Sequence, residues 1–113
     1  MKLYLAGPMR GYPLFNFPAF HEAARLLREA GHEVWSPAEQ DAELDGFDPV
    51  VSAPRPFVEY MRRDLPAVLA SDAVVVLPGW EWSKGASLEA HVARECGISV
   101  RTIDEMLSAK GDS

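Results

Sequence analysis

Asp72-Ala73-Val74-Val75-Val76-Leu77-Pro78-Gly79-Trp80-Glu81-Trp82-Ser83-Lys84-Gly85-Ala86-Ser87-Leu88-Glu89 is the stretch whose reading decides the fold. It reads as a buried strand, then a glycine- and tryptophan-rich loop, then a helix start that carries one carboxylate. In open α/β sheets, ligands bind in the crevice beyond the carboxyl ends of the strands. A strand that ends in two Trp residues and delivers a Glu onto the next helix therefore reads as one wall of a site.

The rest of the chain repeats this alternation. Residues 2–6 are short, apolar and aromatic, and end at Gly7-Pro8, which predicts a first buried strand. Asn16 is placed to cap the next helix, with Pro18 in its first turn. Phe20, Ala23, Ala24, Leu27 and Ala30 then recur at helical spacing, and Gly31 supplies the stop. Residues 32–35 read as a second strand. Residues 36–56 are acidic and proline-rich and read as a long loop with a helical turn around 38–44; loops of this length are often functional. A helix is expected from residue 57 to about 69, with Pro66 breaking or kinking it, or starting a second short helix with Asp64 near its cap. A helix over 84–95, a fourth strand over 99–103 and a short helix over 104–109 complete the pattern.

Strands alternating with helices imply a parallel sheet with right-handed crossovers. The expected fold is a single-domain α/β, Rossmann-like or flavodoxin-like three-layer structure over residues 1–113, with four to five parallel strands. The first and third strands should lie side by side at the centre. The switch point then gathers the loop after Ala6, the loop after Leu77 and the start of the last long helix.

Composition bounds the function. The chain has 113 residues, 48% hydrophobic and 25% charged, which suits one globular domain. Its net charge of −6 argues against a nucleic-acid or anionic-membrane partner, because phosphate backbones are held by clustered Lys and Arg. One or two Arg could still hold a small phosphorylated ligand. The single cysteine, Cys96, allows no intrachain disulfide and fits a reducing cytosol; its place in a helix suggests a small buried hydrophobe. No apolar run approaches a membrane span, and the first residues lack a signal-peptide pattern, so a cytoplasmic protein is expected.

Individual residues carry weak signals. Gly7-Pro8-Met9-Arg10-Gly11 is neither a dinucleotide fingerprint nor a P-loop, but its glycines allow close backbone approach and Arg10 offers a planar donor fork. Asp64 reads equally as a helix cap or surface ion pair. Trp80 and Trp82 cannot both point inward easily; one could stack on a flat ring and the other on a partner subunit. Glu89 is either a carboxylate favoured by the helix dipole or a catalytic one. His21, His32 and His91 are not spaced as a metal set, so neither a metal nor a cofactor is expected. The two Trp and several Phe suggest a homodimer or higher homo-oligomer.

Taken together, Tyr4-Leu5-Ala6-Gly7-Pro8-Met9-Arg10-Gly11, Asn16-Phe17-Pro18-Ala19-Phe20, Arg63-Asp64-Leu65, residues 72–80 and Gly85-Ala86-Ser87-Leu88-Glu89 resemble the nucleoside 2-deoxyribosyltransferase superfamily, and most of all a small branch found in bacteria and phages. The resemblance covers nearly the whole chain apart from the acidic segment and the tail. It implies Glu89 as nucleophile at the anomeric carbon, Asp64 as the group assisting the departing base, and Tyr4 beside the nucleophile. Arg10 and Ser83 match nucleotide contacts of the branch that hydrolyses deoxynucleoside 5′-monophosphates. The transferase branch has an aspartate in place of Ser83, so the match leans toward these N-glycosidases; where they have a serine in the first loop, this chain has Pro8. The expected activity is cleavage of the N-glycosidic bond of a 2′-deoxynucleoside or its 5′-monophosphate, with water or another base accepting the sugar. Gly7 and Arg10, with Ser83 and Ser87, would hold sugar and phosphate, Pro8, Met9 and Gly85 would also line the substrate site, and Trp80 or Trp82 would wall the base. The rival expectation is a module that binds or senses a nucleotide without turnover.

Overall fold

The computed structural model describes residues 1–43 and 46–111. Strands β1 (Lys2–Ala6), β2 (Glu33–Trp35), β3 (Ala73–Val76) and β4 (Ser99–Thr102) form one parallel sheet in the order β2-β1-β3-β4. Helices α1 (Phe17–Glu29), α2 (Pro37–Glu43), α3 (Phe57–Leu69), α4 (Lys84–Glu95) and α5 (Ile103–Gly111) surround it. β1 and β3 are the central pair, in register Leu3 to Ala73 through Ala6 to Val76. The polypeptide is the expected three-layer α/β fold with four strands.

The alternation of side chains along the central strands sorts the core into two halves. Leu3, Leu5, Ala73 and Val75 face α1, whose inward stripe is Phe17, Phe20, Ala23, Ala24 and Leu27, with Met106 of α5 beside it. Tyr4, Ala6, Val74 and Val76 face the other way, toward Val68 of α3 and Ala86 and Ala93 of α4. Tyr4 is therefore the one polar side chain that β1 sends into the layer between the sheet and α3–α4.

Several local expectations are revised. Asn16 does not cap α1 with its side chain; it lies in the left-handed region, and its Nδ2 donates to the Pro8 carbonyl at 3.0 Å. Leu14, Phe15 and Asn16 all have φ between 51° and 61°, a left-handed turn that L residues rarely adopt in succession. The acidic segment is more structured than a loop: Pro37–Glu43 is a helix, and Phe47 packs edge-on against Phe15 at 5.2 Å. Leu44, to which the sequence reading extends this turn, lies outside the described residues. Cys96 is exposed rather than buried, because it follows the last inward residue of α4 at the helix C-cap.

α3 runs unbroken through Pro66. A proline here deprives the Arg62 carbonyl of its helical donor, and the helix persists because Met61, Asp64 and Val68 bury one face of it. Asp64 is thus a buried mid-helix residue and caps nothing. Because Pro66 is itself exposed, Pro66→Ala is expected to restore the missing bond and stabilise the protein by about 2 kcal/mol, less than a full proline penalty because the unfolded chain also gains freedom. Chemical denaturation of the two proteins checks this; an unchanged or lower midpoint would show that the helix has relaxed around the proline.

Candidate active site

A cleft of about 290 Å³ opens at the carboxyl ends of β1 and β3. Its walls come from the loop after β1 (Gly7, Pro8, Met9, Arg10, Tyr12, Phe15), from α2 and the segment after it (Pro37, Asp41, Phe47, Pro54), from α3 (Phe57, Tyr60, Met61, Arg63, Asp64) and from the start of α4 with its preceding loop (Gly79, Trp82, Ser83, Lys84, Gly85, Ala86, Glu89). Two glycines make the walls fit. A Cβ on Gly7 would come within 2.9 Å of the Leu77 Cβ, where the loops leaving the two central strands touch. Gly79 has φ +87°, and a Cβ there would lie 2.6 Å from the Tyr12 hydroxyl.

At the floor sit three polar side chains from three elements. The Tyr4 hydroxyl donates to Glu89 Oε2 at 2.6 Å, within the buried layer. Glu89 belongs to the inward face of α4 with Ala86, Ala90 and Ala93, so a stripe that is otherwise alanine places one carboxyl against the sheet. Asp64 occupies the corresponding place on α3; both carboxyls are 4% exposed. Burial pushes the Glu89 carboxyl up to about 8; the Tyr4 hydrogen bond opposes this, and the like charge of Asp64 adds to it. Burial also raises Asp64, against the pull of Arg63. Tyr4 is raised far above the usual phenol range, first by burial and then by Glu89 and Asp64, and stays a donor.

Arg63 organises the side of the floor. Its Nε donates to Asp64 Oδ1 at 2.6 Å and its Nη1 to Asp41 Oδ1. Its guanidinium lies 5.7 Å from the Trp35 ring and 5.6 Å from the Tyr60 ring. Trp35 in turn stacks on Tyr4 at 5.1 Å. Nearer the mouth, Arg10 Nη2 donates to the Arg55 carbonyl at 2.6 Å, and the Tyr60 hydroxyl accepts from the Arg55 amide at 2.9 Å. The segment before α3 is thereby fastened over the cleft by two of its lining residues.

Of the residues expected from the sequence, Tyr4, Asp64 and Glu89 meet at the floor, and Gly7, Pro8, Met9, Arg10, Trp82, Ser83 and Gly85 line the cleft. Ser83 Oγ caps α4 by accepting from the Ala86 amide at 3.2 Å. Trp82 stands at the rim, 91% exposed. Trp80 does not line the cleft; it packs on the sheet's second core with Arg94 5.5 Å from its ring. Ser87 turns back to the Lys84 carbonyl within α4 and is also outside the lining. Asp41, Phe57, Tyr60 and Arg63 were missed. Arg63 had one signal, its place beside Asp64; Asp41 had none, being one of many acids in its segment.

Residues 1–102 match the family model described as Domain of unknown function (DUF4406). The chain belongs to that family. No curated protein matches it. Among solved structures, this DUF4406 chain resembles a 2-deoxyribosyltransferase from the psychrotolerant bacterium Bacillus psychrosaccharolyticus, with a TM-score of 0.67 and 22% identity over 90% of this chain and 71% of that one. It also resembles a conserved protein from Enterococcus faecalis V583, with a TM-score of 0.62 and 28% identity over 90% of this chain and 62% of that one. The DUF4406 chain therefore shares the 2-deoxyribosyltransferase fold while spanning under two thirds of the Enterococcus protein. No helix among the described residues is long and apolar enough to cross a membrane.

Burying Glu89 has a pH signature. In the unfolded chain its carboxyl titrates near 4.5, in the fold near 8, so folding takes up a proton between these values. Stability from this group is whole below the unfolded value and falls as pH rises toward the folded one. Glu89→Gln carries no such penalty. Its thermal midpoint is expected to exceed that of the wild type by a margin that widens from about pH 5 to about pH 8. A margin constant across that range would mean that Glu89 titrates as an ordinary surface carboxyl.

Proposed function

We propose that this protein cleaves the N-glycosidic bond of a 2′-deoxynucleoside or its 5′-monophosphate, with Glu89 as nucleophile. The observation that carries the reading is the buried Glu89 carboxyl, oriented by the Tyr4 hydroxyl at 2.6 Å and paired with Asp64 at the floor of a nucleoside-sized cleft. The fold shared with a 2-deoxyribosyltransferase supports it.

The chemistry follows from the proton the two carboxyls hold between them. Near neutral pH, Glu89 carries a proton for much of the time and Arg63 favours charge on Asp64. Attack requires the reverse. When the proton passes to Asp64, a Glu89 oxygen can form a bond to C1′ as the C1′–N bond breaks, and Asp64 gives the proton to the leaving base. The transition state has oxocarbenium character, which an adjacent carboxylate stabilises. A water, or a second base, then attacks C1′, the C1′–O bond to Glu89 breaks, and the attacking group's proton returns to Asp64. In retaining glycosidases the two carboxyls stand roughly 5–5.5 Å apart, flanking the bond. Here both carboxyls are buried at the floor of one cleft, so the sugar sits against Glu89 from the open side and Asp64 serves the base.

The rest of the cleft suits such a substrate. Phe57, Tyr60, Met61 and Phe47 offer flat apolar contact to a base. Arg10 and Lys84 supply positive charge at the walls, and a 5′-phosphate would have to draw Arg10 from the Arg55 carbonyl. Neither a metal nor a cofactor enters this chemistry.

The test is a base-release screen across deoxynucleosides and their 5′-monophosphates at pH 7–8, with and without a second base. Glu89→Ala is expected to lower kcat/KM by about 10³-fold or more, and Tyr4→Phe by about 10-fold through loss of orientation. Wild-type kcat/KM should fall as pH rises past about 8, where the pair loses the proton that Asp64 must give to the base. Base release undiminished in Glu89→Ala would overturn the assignment. Tight nucleotide binding by wild type and Glu89→Ala alike, with no base released, would instead indicate a sensing module.

A further inference from the structure

The Arg63 guanidinium is constrained on every side that the cleft presents to it. Two of its edges are bound to carboxylates from different elements, Asp64 of α3 and Asp41 of α2, and its planar faces lie near Trp35 and Tyr60. Asp41 is 4% exposed. Its segment is itself fastened: the Phe47 amide donates to the Asp41 carbonyl at 2.8 Å, and Phe47 packs on Phe15 and Phe17. A planar fork held at two edges and near two rings has little rotamer freedom left, a geometry that lysine cannot reproduce.

We propose that Asp41 and Arg63 are positioning residues for the Glu89–Asp64 pair: Asp41 holds the Arg63 fork against Asp64 and so fixes which of the two carboxyls carries the shared proton. This rests on the catalytic reading of that pair. It gives the acidic segment a task, because α2 reaches the reacting floor through one side chain. The groups facing the pair are Tyr4 from β1, Asp41 from α2 and Arg63 from α3, with Asp64 and Glu89 facing one another. Arg63 favours the ionised form of both members of the pair. Asp41, as a bare like charge, does the opposite to Asp64. The two possible roles of Asp41 therefore predict opposite signs.

The experiment is a carbon-13 carboxyl NMR titration of the ligand-free protein, with the Glu89 resonance assigned by its loss in Glu89→Gln. Arg63→Gln is expected to move the Glu89 titration upward by about one pH unit. If Asp41 positions Arg63, Asp41→Asn moves it upward as well, and Asp41→Glu restores it toward wild type. A downward shift in Asp41→Asn, the result for a mere like charge, would overturn the proposal, and so would no shift. Should Asp41→Asn not fold, Arg63→Lys is read instead: it keeps the charge and loses the fork, so an upward shift supports positioning and an unchanged titration overturns it. The titration needs no substrate. Shifts as expected without base release in any protein would sink the glycosidase reading alone, whereas an active enzyme with an unmoved titration would sink this one.

Discussion

The hydrogen bond from Tyr4 to Glu89 ties the architecture to its chemistry. A carboxyl buried against a parallel sheet is costly unless it is hydrogen-bonded, and the strand offers no free backbone donor because β1 is paired on both sides. The donor has to be a side chain, long enough to cross from the sheet to α4. Tyr4 meets this need at one of the two buried positions of β1, with Ala6, that face α3 and α4. Its ring is also the base of a stack that continues through Trp35 to Arg63 and Tyr60. One residue thus joins the second core, the nucleophile candidate and the cation beside Asp64.

The fold was legible because its determinants are local. The apolar run before Pro78, the Gly-Pro end of β1 and the inward stripe of α1 each specify an element within a dozen residues, and parallel pairing follows from their alternation. Expectations failed where tertiary packing outweighs local preference. Pro66 reads as a break, yet the buried face of α3 carries the helix past it. Asn16 reads as a cap, yet its amide is taken by the Pro8 carbonyl and its backbone is left-handed.

The site was legible in part for a different reason. Tyr4, Asp64 and Glu89 became candidates through the pattern of the whole chain; singly, each had an ordinary structural explanation. Asp41 and Arg63 are 22 positions apart in the sequence and meet only because α2 folds back beside α3. No periodicity marks such a pair. The acidity of residues 36–56 hid Asp41 among acids such as Glu39, Glu43 and Asp48, none of which is buried. The Trp pair shows the converse: two conspicuous residues turn out to be a half-buried packing residue under Arg94 and an exposed rim residue.

Strain and burial accumulate at the same end of the molecule. Leu14, Phe15 and Asn16 hold left-handed backbone beside the cleft, at a cost of order 1 kcal/mol each. Two carboxyls are buried at the floor, and Arg10 and Tyr60 hold Arg55, just before α3, beside it. A chain selected for stability alone would relieve each of these with glycine at the turn and apolar residues on α3 and α4. The opposite face, where α1 and α5 cover the sheet with an uninterrupted apolar stripe, does follow that rule. The buried Glu89 and Asp64 thus lie on the face of the sheet that α3 and α4 cover, while the left-handed turn belongs to the loop that leads into α1.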